Sequence, residues 1–520
     1  MKYRLMRMSK MRNIFLALFL LYSCHIYAQS DGQVDTTFGM GGAAQSSFLG
    51  GCVGLSYAID HDKNIIGCGH YFAYPEYDFA VAKFDSLGTV DTSFANDGKF
   101  QYNFGIDDYP NSVLVQADNK IIVAGYSTTW DGFSVNSIYS QVSVIRLLPN
   151  GILDSTFGTN GRFEFDFNPA DCGAVALNMQ ADEKIIVVGK YYNGASLQIL
   201  AIRITTAGLL DNSFGNNGIT LVQMDTLLKD DEATSCIIQP DDKILIGAIT
   251  FNQGNGGKIF GLCRLNANGT RDTNFGTNGV VRTDIPNFAN DYPLTLTLQN
   301  DGKIIQAGST KNSRLIALCR YETNGSLDTS FANDGIAAFD ISAGNDVAQD
   351  LLVQDDGRII VAGNKSSSAC LLRLTQNGLL DTTFNHTGIT LYGTASGEAF
   401  TEVLLMNPNK IIAAGYAKDT ANVNQFTAVA YHSLLYTGIQ KIQSTAPEIV
   451  AYPNPAQQQI NFTQVQANAQ IIISNTQGQQ ILSASGTNNI NISSLSQGLY
   501  LFTITNSKQE LLHTGKFVKE

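Results

Sequence analysis

The sequence predicts an all-β protein, a seven-bladed β-propeller followed by a small antiparallel β-sandwich domain. Three observations support this: a motif that occurs seven times, short apolar runs at fixed places between its copies, and a different series of short strands after the last copy. The motif is Asp-x-x-Phe-x-x-x-Gly, and successive copies lie about 58 residues apart. A period of this length indicates repeats of one supersecondary unit. The Phe of the motif is at positions 38, 94, 157, 214, 275, 331 and 384.

Two further patterns recur in each repeat and supply its strands. One is an apolar run after a charged or polar residue, as in Lys120-Ile-Ile-Val-Ala-Gly125. The other is an apolar run that usually ends in a basic residue, as in Val142-Ser-Val-Ile-Arg146. Runs this short are typical of strands buried on both faces. With one strand before the first run and one after the repeat glycine, each unit has about four strands, which predicts a propeller. A solenoid is the alternative, but it would need atypical capping repeats.

The start of the repeat region carries a copy of the motif that is missing at its end. In six repeats a basic residue lies eight positions before the Asp of the next motif, as Arg146 does before Asp154, which predicts a repeated ion pair or Asx turn. The seventh repeat ends at Tyr431 with no motif after it, and the unmatched copy begins at Asp35. We therefore expect residues 33 to 41 to close the ring by docking beside the strand that ends near Tyr431.

The first 28 residues have the features of a secretory signal peptide. Five basic residues up to Arg12 precede the apolar run Ile14 to Tyr22, and Ala28 provides a small residue for cleavage. Lipid attachment at Cys24 is the alternative. We predict a signal peptide at 1–28, seven repeats at 29–437, a linker at 438–448 and a C-terminal module at 449–520. No later run reaches the ~18 apolar residues that a membrane span needs, so we expect no transmembrane span in the mature chain.

The repeats resemble the delta-60 repeat family, whose tandem units read Leu-Asp-Thr-Thr-Phe-Gly and then Asp-Gly-Lys-Ile-Ile-Val-Ala-Gly. Leu380-Asp-Thr-Thr-Phe384 and Asp356-Gly-Arg-Ile-Ile-Val-Ala-Gly363 match these units closely. The resemblance covers about residues 33 to 435. It implies a propeller and supplies no catalytic residues.

The C-terminal module consists of short apolar segments separated by Gly and Asn. Among them are Tyr452-Pro-Asn-Pro455, Ile471-Ile-Ile-Ser474 and Gly498-Leu-Tyr-Leu-Phe-Thr-Ile504. Such segments predict a small antiparallel sandwich. In order and content they resemble the type IX secretion (Por secretion) C-terminal sorting domain of Bacteroidetes-type bacteria. The resemblance implies recognition by the type IX secretion machinery, and then release into the medium or attachment to the cell surface.

Composition and motifs argue against several functions. A net charge of −12 argues against nucleic acid as a partner, because phosphate binding needs clustered Lys and Arg. The 28 Phe and 21 Tyr argue against disorder. Cys and His residues lack the spacing of zinc ligands, and the sequence has no GxSxG, Walker or dinucleotide-binding motif. We therefore predict no catalytic residues and no cofactor-binding motif.

One candidate site is a set of acidic residues at a fixed register. Twelve positions before the charged or polar residue that precedes each apolar run, such as Lys120, five of the seven repeats carry Asp or Glu. On a propeller this register predicts a ring of carboxylates, which suits a hard cation such as calcium. The alternative is that each carboxylate caps its own loop by accepting backbone N–H groups. The two remaining positions are Cys52 and Cys172, and a disulfide between them would cross the ring. The predicted metal ligands are Asp108, Asp231, Asp291, Asp346 and Glu398.

The second candidate site is the hairpin after each of these runs, which varies in length and carries aromatic residues. Variable loops on a rigid scaffold are common places for ligand binding, and exposed rings suit sugars or protein partners. The alternative is that the rings pack over the edges of the blades. The predicted ligand-binding residues are Tyr71, Tyr74, Tyr77, Trp130, Phe133, Tyr139, Tyr191 and Tyr192.

Together these features predict an exported, non-enzymatic binding or adhesion propeller for glycan or protein ligands. The sorting domain would deliver it to the outer cell surface or the medium. The alternative is an extracellular polysaccharide hydrolase or lyase with a propeller active site, because such sites gather residues from several blades.

Overall fold

The computed structural model describes residues 31–130, 138–167, 170–224, 230–252, 254, 256–286, 290–310, 314–342, 344–366, 368–393, 397–434, 451–463, 465, 468–475, 479–506 and 511–520. The predicted signal peptide, Cys24 and the predicted linker boundaries lie outside these residues. Contacts divide the chain into two compact units, residues 1–435 and 436–520.

The described part of the first unit forms seven four-stranded antiparallel sheets. The first strand in the chain, β1 (Ala43–Ser46), belongs to the last sheet. Sheets 1 to 6 each use four consecutive strands. Sheet 1 contains β2 (Cys52–Ile59), β3 (Ile65–Ala73), β4 (Glu76–Phe84) and β5 (Lys99–Tyr102); sheet 2 contains β6 (Asp108–Val115), β7 (Ile121–Trp130), β8 (Ile138–Leu147) and β9 (Arg162–Phe165); sheet 3 contains β10 (Cys172–Met179), β11 (Ile185–Tyr192), β12 (Leu197–Ile204) and β13 (Ile219–Val222).

The second half of this unit continues in the same order. Sheet 4 contains β14 (Glu232–Ile238), β15 (Ile244–Phe251), β16 (Lys258–Leu265) and β17 (Val280–Thr283); sheet 5 contains β18 (Tyr292–Leu298), β19 (Ile304–Thr310), β20 (Leu315–Tyr321) and β21 (Ile336–Phe339); sheet 6 contains β22 (Asp346–Val353), β23 (Ile359–Lys365), β24 (Ser368–Leu374) and β25 (Ile389–Tyr392). Sheet 7 has the order β1-β28-β27-β26, with β26 (Ala399–Asn407), β27 (Lys410–Lys418) and β28 (Asn424–His432). A short 3-10 helix, η1 (Phe384–His386), precedes β25.

The two middle strands of each sheet are apolar because both of their faces are covered. Ile65 packs in a core with residues of sheet 7, whereas the next residue, Ile66, packs in a core with residues of sheet 2. Successive side chains of a strand point to opposite faces, so a sheet held between two others needs apolar residues at consecutive positions. The all-β fold with about four strands in each repeat is confirmed.

The first strands of the sheets pack against one another in a series that returns to its start. Each contacts the first strand of the next sheet, and β26 of sheet 7 contacts β2 of sheet 1. Each also has a bulge, as between Gly54 and Ser56 in β2. At four positions just after the bulge, a side-chain oxygen accepts a backbone N–H of the following first strand. The backbone N–H of Val113 donates to Ser56 (3.3 Å), that of Leu177 to Ser112 (3.2 Å), that of Val403 to Asp350 (2.9 Å) and that of Tyr57 to Glu402 (3.4 Å).

The repeated Asp-x-x-Phe motif forms a turn that contacts an arginine, and the predicted ion pair and the predicted Asx turn are both present. In five repeats Arg Nε donates to one oxygen of the Asp at 2.7 to 2.9 Å. The other oxygen accepts the backbone N–H two residues later, which is an Asx turn. The guanidinium lies 4.3 to 4.9 Å from the ring centre of the motif's buried Phe. The motif therefore recurs because it joins a turn, an ion pair and a core residue.

The N-terminal segment closes the first unit, as predicted. Val34 forms a bridge with Tyr431, and the N–H of Asp35 donates to the carbonyl of Ala430 at 2.8 Å. The closure extends further than residue 41, since β1 pairs with β28 and forms the fourth strand of sheet 7. The predicted disulfide between Cys52 and Cys172 is wrong, because both residues are free, buried thiols.

The second unit has two sheets that share one apolar core. One consists of β29 (Ala451–Tyr452), β30 (Gln459–Phe462) and β33 (Asn489–Asn491). The other consists of β31 (Gln470–Ser474), β32 (Gln480–Ser485), β34 (Gly498–Thr505) and β35 (Leu511–Lys519). Ile460 of the first and Ile471 of the second are both fully buried. Among the described residues of the whole chain, no helix has the length and apolar character to cross a membrane.

Candidate functional site

The five predicted cation ligands lie where the chain enters the first strand of a sheet. Asp108 and Asp346 begin β6 and β22, and Asp231, Asp291 and Glu398 directly precede β14, β18 and β26. All five side chains are buried. The four aspartates accept backbone N–H groups of the loop just before them. The donors are Phe104 for Asp108 (2.6 Å), Met224 for Asp231 (2.7 Å), Ile285 for Asp291 (3.1 Å), and Ile341 and Ser342 for Asp346 (both 2.9 Å).

This geometry matches the interpretation in which each aspartate caps its own loop. Within the part of the chain that the structure describes, no group of three or more His, Cys, Asp or Glu side chains is arranged to hold a metal ion. Among the described residues, Asp108 Oδ1 and Glu398 Oε2 have no hydrogen-bond partner, and both atoms are buried. Burial, together with the charge of Asp78, raises the pKa of Asp108 to about 7. The role of the five residues as calcium ligands stays a prediction.

Two of the predicted ligand-binding aromatics, Tyr74 and Tyr77, belong to a larger connected group. Ring centres are 5.8 Å apart for Phe72 and Tyr74, and 5.2 Å apart for Phe72 and Tyr77. The ring centre of Tyr77 also lies 5.2 Å from that of His70 and 5.6 Å from that of Tyr109. Tyr109 stacks on Tyr126 at 5.0 Å. The group crosses from sheet 1 to sheet 2, and we call it the aromatic row: His70, Phe72, Tyr74, Tyr77, Tyr109 and Tyr126.

The aromatic row is partly open to solvent and carries neutral polar groups. Tyr74 is 84% exposed, and the other five side chains are half-buried. Burial lowers the pKa of His70, and its buried Nδ1 has no hydrogen-bond partner in the part of the chain that the structure describes. Burial and the charge of Asp107 raise the pKa of Tyr109 to about 12, so its hydroxyl stays a hydrogen-bond donor. Asp107 Oδ1 accepts the backbone N–H of Tyr77 at 3.1 Å, which ties the two sheets together beside the row.

The other predicted aromatics have separate surroundings. The Tyr71 hydroxyl donates to Asp78 at 3.0 Å, Tyr139 is buried, and the Tyr191 ring lies 4.2 Å from Phe167. These contacts are compatible with packing at the sheet edges, and the role of the three residues in ligand binding stays a prediction. Tyr192 is 40% exposed, and Trp130 is 55% exposed opposite Ile138, which is 52% exposed. Phe133 lies outside the described residues.

The predicted ligand-binding residues leave out four members of the aromatic row, although for three of them a signal was present in the sequence. His70 and Tyr126 both follow the glycine that ends an apolar run, and Tyr109 follows the acidic position of its repeat. That glycine allows two strands to approach closely at the bulge. A Cβ at Gly125 would lie 2.0 Å from the carbonyl oxygen of Tyr109. The next residue therefore has a fixed place beside the following sheet, and aromatic residues at that register could have been grouped.

Both parts of the chain match known protein families. Residues 450–520 match the secretion system C-terminal sorting domain. Five segments, 116–157, 180–214, 239–275, 299–331 and 354–384, match the β-propeller described as a domain of unknown function (DUF5122). The chain joins such a propeller to a sorting domain. The sorting domain directs secretion to the cell surface or the medium, and it implies interaction with the secretion machinery. The propeller family supplies no activity.

Several solved structures are similar at low identity, and no curated protein matches. A protein of unknown function from Dyadobacter fermentans is 10% identical over 76% of this chain and 100% of its own, with a TM-score of 0.43. PorZ, a surface component of the type IX secretion system of Porphyromonas gingivalis, is 10% identical over 89% of this chain and 59% of its own, with a TM-score of 0.34. A periplasmic gluconolactonase of Pseudomonas aeruginosa is 13% identical over 71% of this chain and 96% of its own, with a TM-score of 0.44. At these scores the similarities carry no functional argument.

Proposed function

We propose that this protein is an exported, non-enzymatic binding or adhesion propeller for a glycan or protein ligand, delivered to the cell surface or medium by its sorting domain. The observation that carries the proposal is the aromatic row. It joins six rings from two sheets, and its outer member, Tyr74, is exposed to solvent. Binding sites commonly combine aromatic surfaces with a few polar groups that orient the ligand. Here the polar groups are the tyrosine hydroxyls and His70.

We also propose that the seven sheets are the blades of one seven-bladed propeller and that the second unit is a small sandwich. The contact between β26 and β2, together with the docking of the N-terminal segment on β28, supports a closed ring of blades. The core shared by the two sheets of the second unit supports the sandwich. In a closed ring the aromatic row has a rigid base, which reduces the entropy lost on binding.

The alternative function is a polysaccharide hydrolase or lyase, and one observation bears on it. Asp108 precedes Tyr109 of the aromatic row, and its pKa of about 7 would suit a general acid or base. However, the Asp108 side chain is 0% exposed, so a substrate could not reach it in this conformation. Binding therefore ranks above catalysis.

A glycan array with the full mature protein tests this proposal, with analysis of products from any bound polysaccharide. Binding without new reducing ends or unsaturated products supports the proposed function, whereas either product would establish the enzymatic alternative. If no glycan binds, cross-linking to surface proteins of the producing cell tests the protein-ligand branch, and failure of both overturns the proposal.

Variants of the aromatic row then locate the site. Tyr74→Ala and Tyr77→Ala should each weaken binding at least about fivefold, because truncating an important aromatic contact costs more than about 1 kcal/mol. The matched control is Tyr452→Ala, which removes a half-exposed tyrosine from the second unit. Equal affinity for the wild type and both row variants would exclude this site.

A further inference from the structure

Two half-buried acidic residues meet where sheets 6 and 7 pack together in the first unit, Asp350 on β22 of sheet 6 and Glu402 on β26 of sheet 7. Each directly follows the bulge of its strand. The two side chains lie within hydrogen-bonding reach of each other. Ionised carboxylates have only acceptor atoms, so a direct bond between two of them requires a proton. The pair is therefore a carboxylic acid and a carboxylate that share one proton, or two neutral acids.

The remaining oxygens of the pair connect it to the neighbouring sheets. Glu402 Oε2 accepts the hydroxyl of Ser56 at 3.1 Å and the backbone N–H of Tyr57 at 3.4 Å, both in sheet 1. Asp350 accepts the N–H of Val403 in sheet 7 at 2.9 Å and the hydroxyl of Thr295 in sheet 5 at 2.9 Å. The pair thus contacts four sheets, including the one that contains both ends of the propeller chain.

The titratable groups that face the pair are Tyr57 on β2 and Cys68 on β3. Burial raises the pKa of both, so both stay neutral, and neither a phenol nor a thiol can carry a compensating positive charge. The basic residues on the strands packed against the pair have other positions or partners. Arg320, Arg373 and Lys410 form ion pairs with Asp328, Asp381 and Asp35, and Lys365 and Lys418 lie at the ends of β23 and β27.

We propose that the proton shared by Asp350 and Glu402 is a pH-dependent lock on the interface where sheets 6, 7 and 1 close the ring. When the proton leaves, two adjacent negative charges face each other without a cation, and their repulsion loosens sheet 7 from its neighbours. Sheets 2 to 4 do not contact the pair and stay packed.

The direction of the pH effect follows from linkage. Burial raises the pKa of Asp350, and burial and the charge of Asp350 raise that of Glu402 well above its ordinary value. Groups whose pKa is raised on folding contribute stability that is complete below their unfolded pKa, about 4 for these residues. That contribution is lost as the pH rises through the raised values. The lock is closed in mild acid and opens in alkali.

Hydrogen–deuterium exchange on the full mature protein between pH 6 and 9, corrected for intrinsic exchange rates, tests the lock. We expect peptides covering 52–59 and 399–407 to lose protection as the pH rises, while 172–179 and 232–238 in sheets 3 and 4 do not. Glu402→Gln supplies an amide donor to Asp350 without a second charge, and it should abolish this selective loss. Glu164→Gln, at a half-exposed position on β9, should behave as the wild type.

Thermal unfolding gives an independent measurement. The Tm difference between Glu402→Gln and the wild type should be small at pH 5 and reach a gain of about 2 °C or more at pH 9. Asp350→Asn is the second variant should Glu402→Gln not fold. Uniform exchange across the seven sheets, or a Tm difference that does not change with pH, would overturn the proposal.

Discussion

Arg373 and Asp31 form a two-armed ion pair that joins sheet 6 to the N-terminal segment. Nη1 of Arg373 donates to Oδ1 of Asp31 at 2.9 Å, Nη2 donates to Oδ2, and the arginine side chain is 0% exposed. In sheets 2 to 5 the equivalent arginine donates instead to a backbone carbonyl of the next repeat. Asp31 therefore takes the place of the backbone carbonyl that the seventh repeat would have supplied.

Replacing Asp31 with Ala should strongly destabilise the first unit. The change leaves the buried guanidinium of Arg373 without one partner, and it also removes the acceptor for the backbone N–H of Leu434. Breaking a buried ion pair from one side costs about 3–5 kcal/mol. Denaturant unfolding monitored by tyrosine fluorescence measures the loss.

The matched control for this experiment is Asp355→Ala, at an exposed position of sheet 6. It should change the free energy of unfolding by less than about 0.5 kcal/mol, as exposed substitutions usually do. If Asp31→Ala and Asp355→Ala behaved alike, the ion pair would have no part in closing the ring.

Arg320→Lys should also be destabilising, although it keeps the charge. Arg320 donates to Asp328, to the carbonyl of Gln376 and to Ser330, and it lies over the ring of Phe331. A lysine cannot reproduce this planar set of donors. We expect a loss of about 2 kcal/mol in the free energy of unfolding, in the range of hydrogen bonds to charged groups.

The first repeat suggests a compensating change. It has Lys83 at the position that Arg320 occupies in the fifth repeat, and Lys83 pairs with Asp60 at 3.3 Å. The fifth repeat has Gln299 at the position of Asp60. Gln299→Asp should therefore recover part of the stability lost in Arg320→Lys. A double-mutant cycle with Gln299→Asp alone measures the coupling between the two sites. Strictly additive effects would refute the compensation.

Local repetition explains which parts of the fold were predictable. The Asp-x-x-Phe motif and the apolar runs recur because every sheet has the same neighbours, so their pattern predicts the four strands of each repeat. The unmatched motif at Asp35 and the missing one after Tyr431 predict closure by the same logic. Asp31 has no counterpart in the other repeats, because it substitutes for a backbone carbonyl, and no repeat pattern can reveal it.

The sites were less predictable because they depend on contacts between sheets. His70, Tyr77 and Tyr109 belong to two repeats and meet only when sheet 1 packs on sheet 2. Asp350 and Glu402 occupy equivalent positions of consecutive repeats, but the bulge that brings them together is not visible in composition or spacing. The aspartates at the strand entrances were found by register, yet register alone does not separate a loop cap from a metal ligand.

Gly125→Ala should disturb the packing of the aromatic row. The new Cβ would lie 2.0 Å from the carbonyl oxygen of Tyr109, so β6 must move away from β7. Overpacking of this kind costs about 1–3 kcal/mol. We expect a lower Tm and weaker binding by the row. Gly254→Ala, whose Cβ meets only an exposed side chain at 3.3 Å, is the control and should alter neither quantity. An unchanged Tm in Gly125→Ala would show that this close approach is not required.

Acid should weaken the closure through Asp35. Burial by itself raises the pKa of this carboxyl, but hydrogen bonds from Lys410 and Thr37 outweigh it and hold the pKa at about 2. A carboxyl whose pKa is lowered on folding contributes stability above its unfolded pKa, about 4, and loses it as the pH falls toward the folded value. Asp35→Asn should therefore be less stable than the wild type at pH 7, and the difference should disappear near pH 2. Urea unfolding at a series of pH values measures it, with Asp97→Asn, an exposed position in the next copy of the motif, as the control. A difference that persists unchanged at pH 2 would mean that the Asp35 carboxylate contributes through its shape rather than its charge.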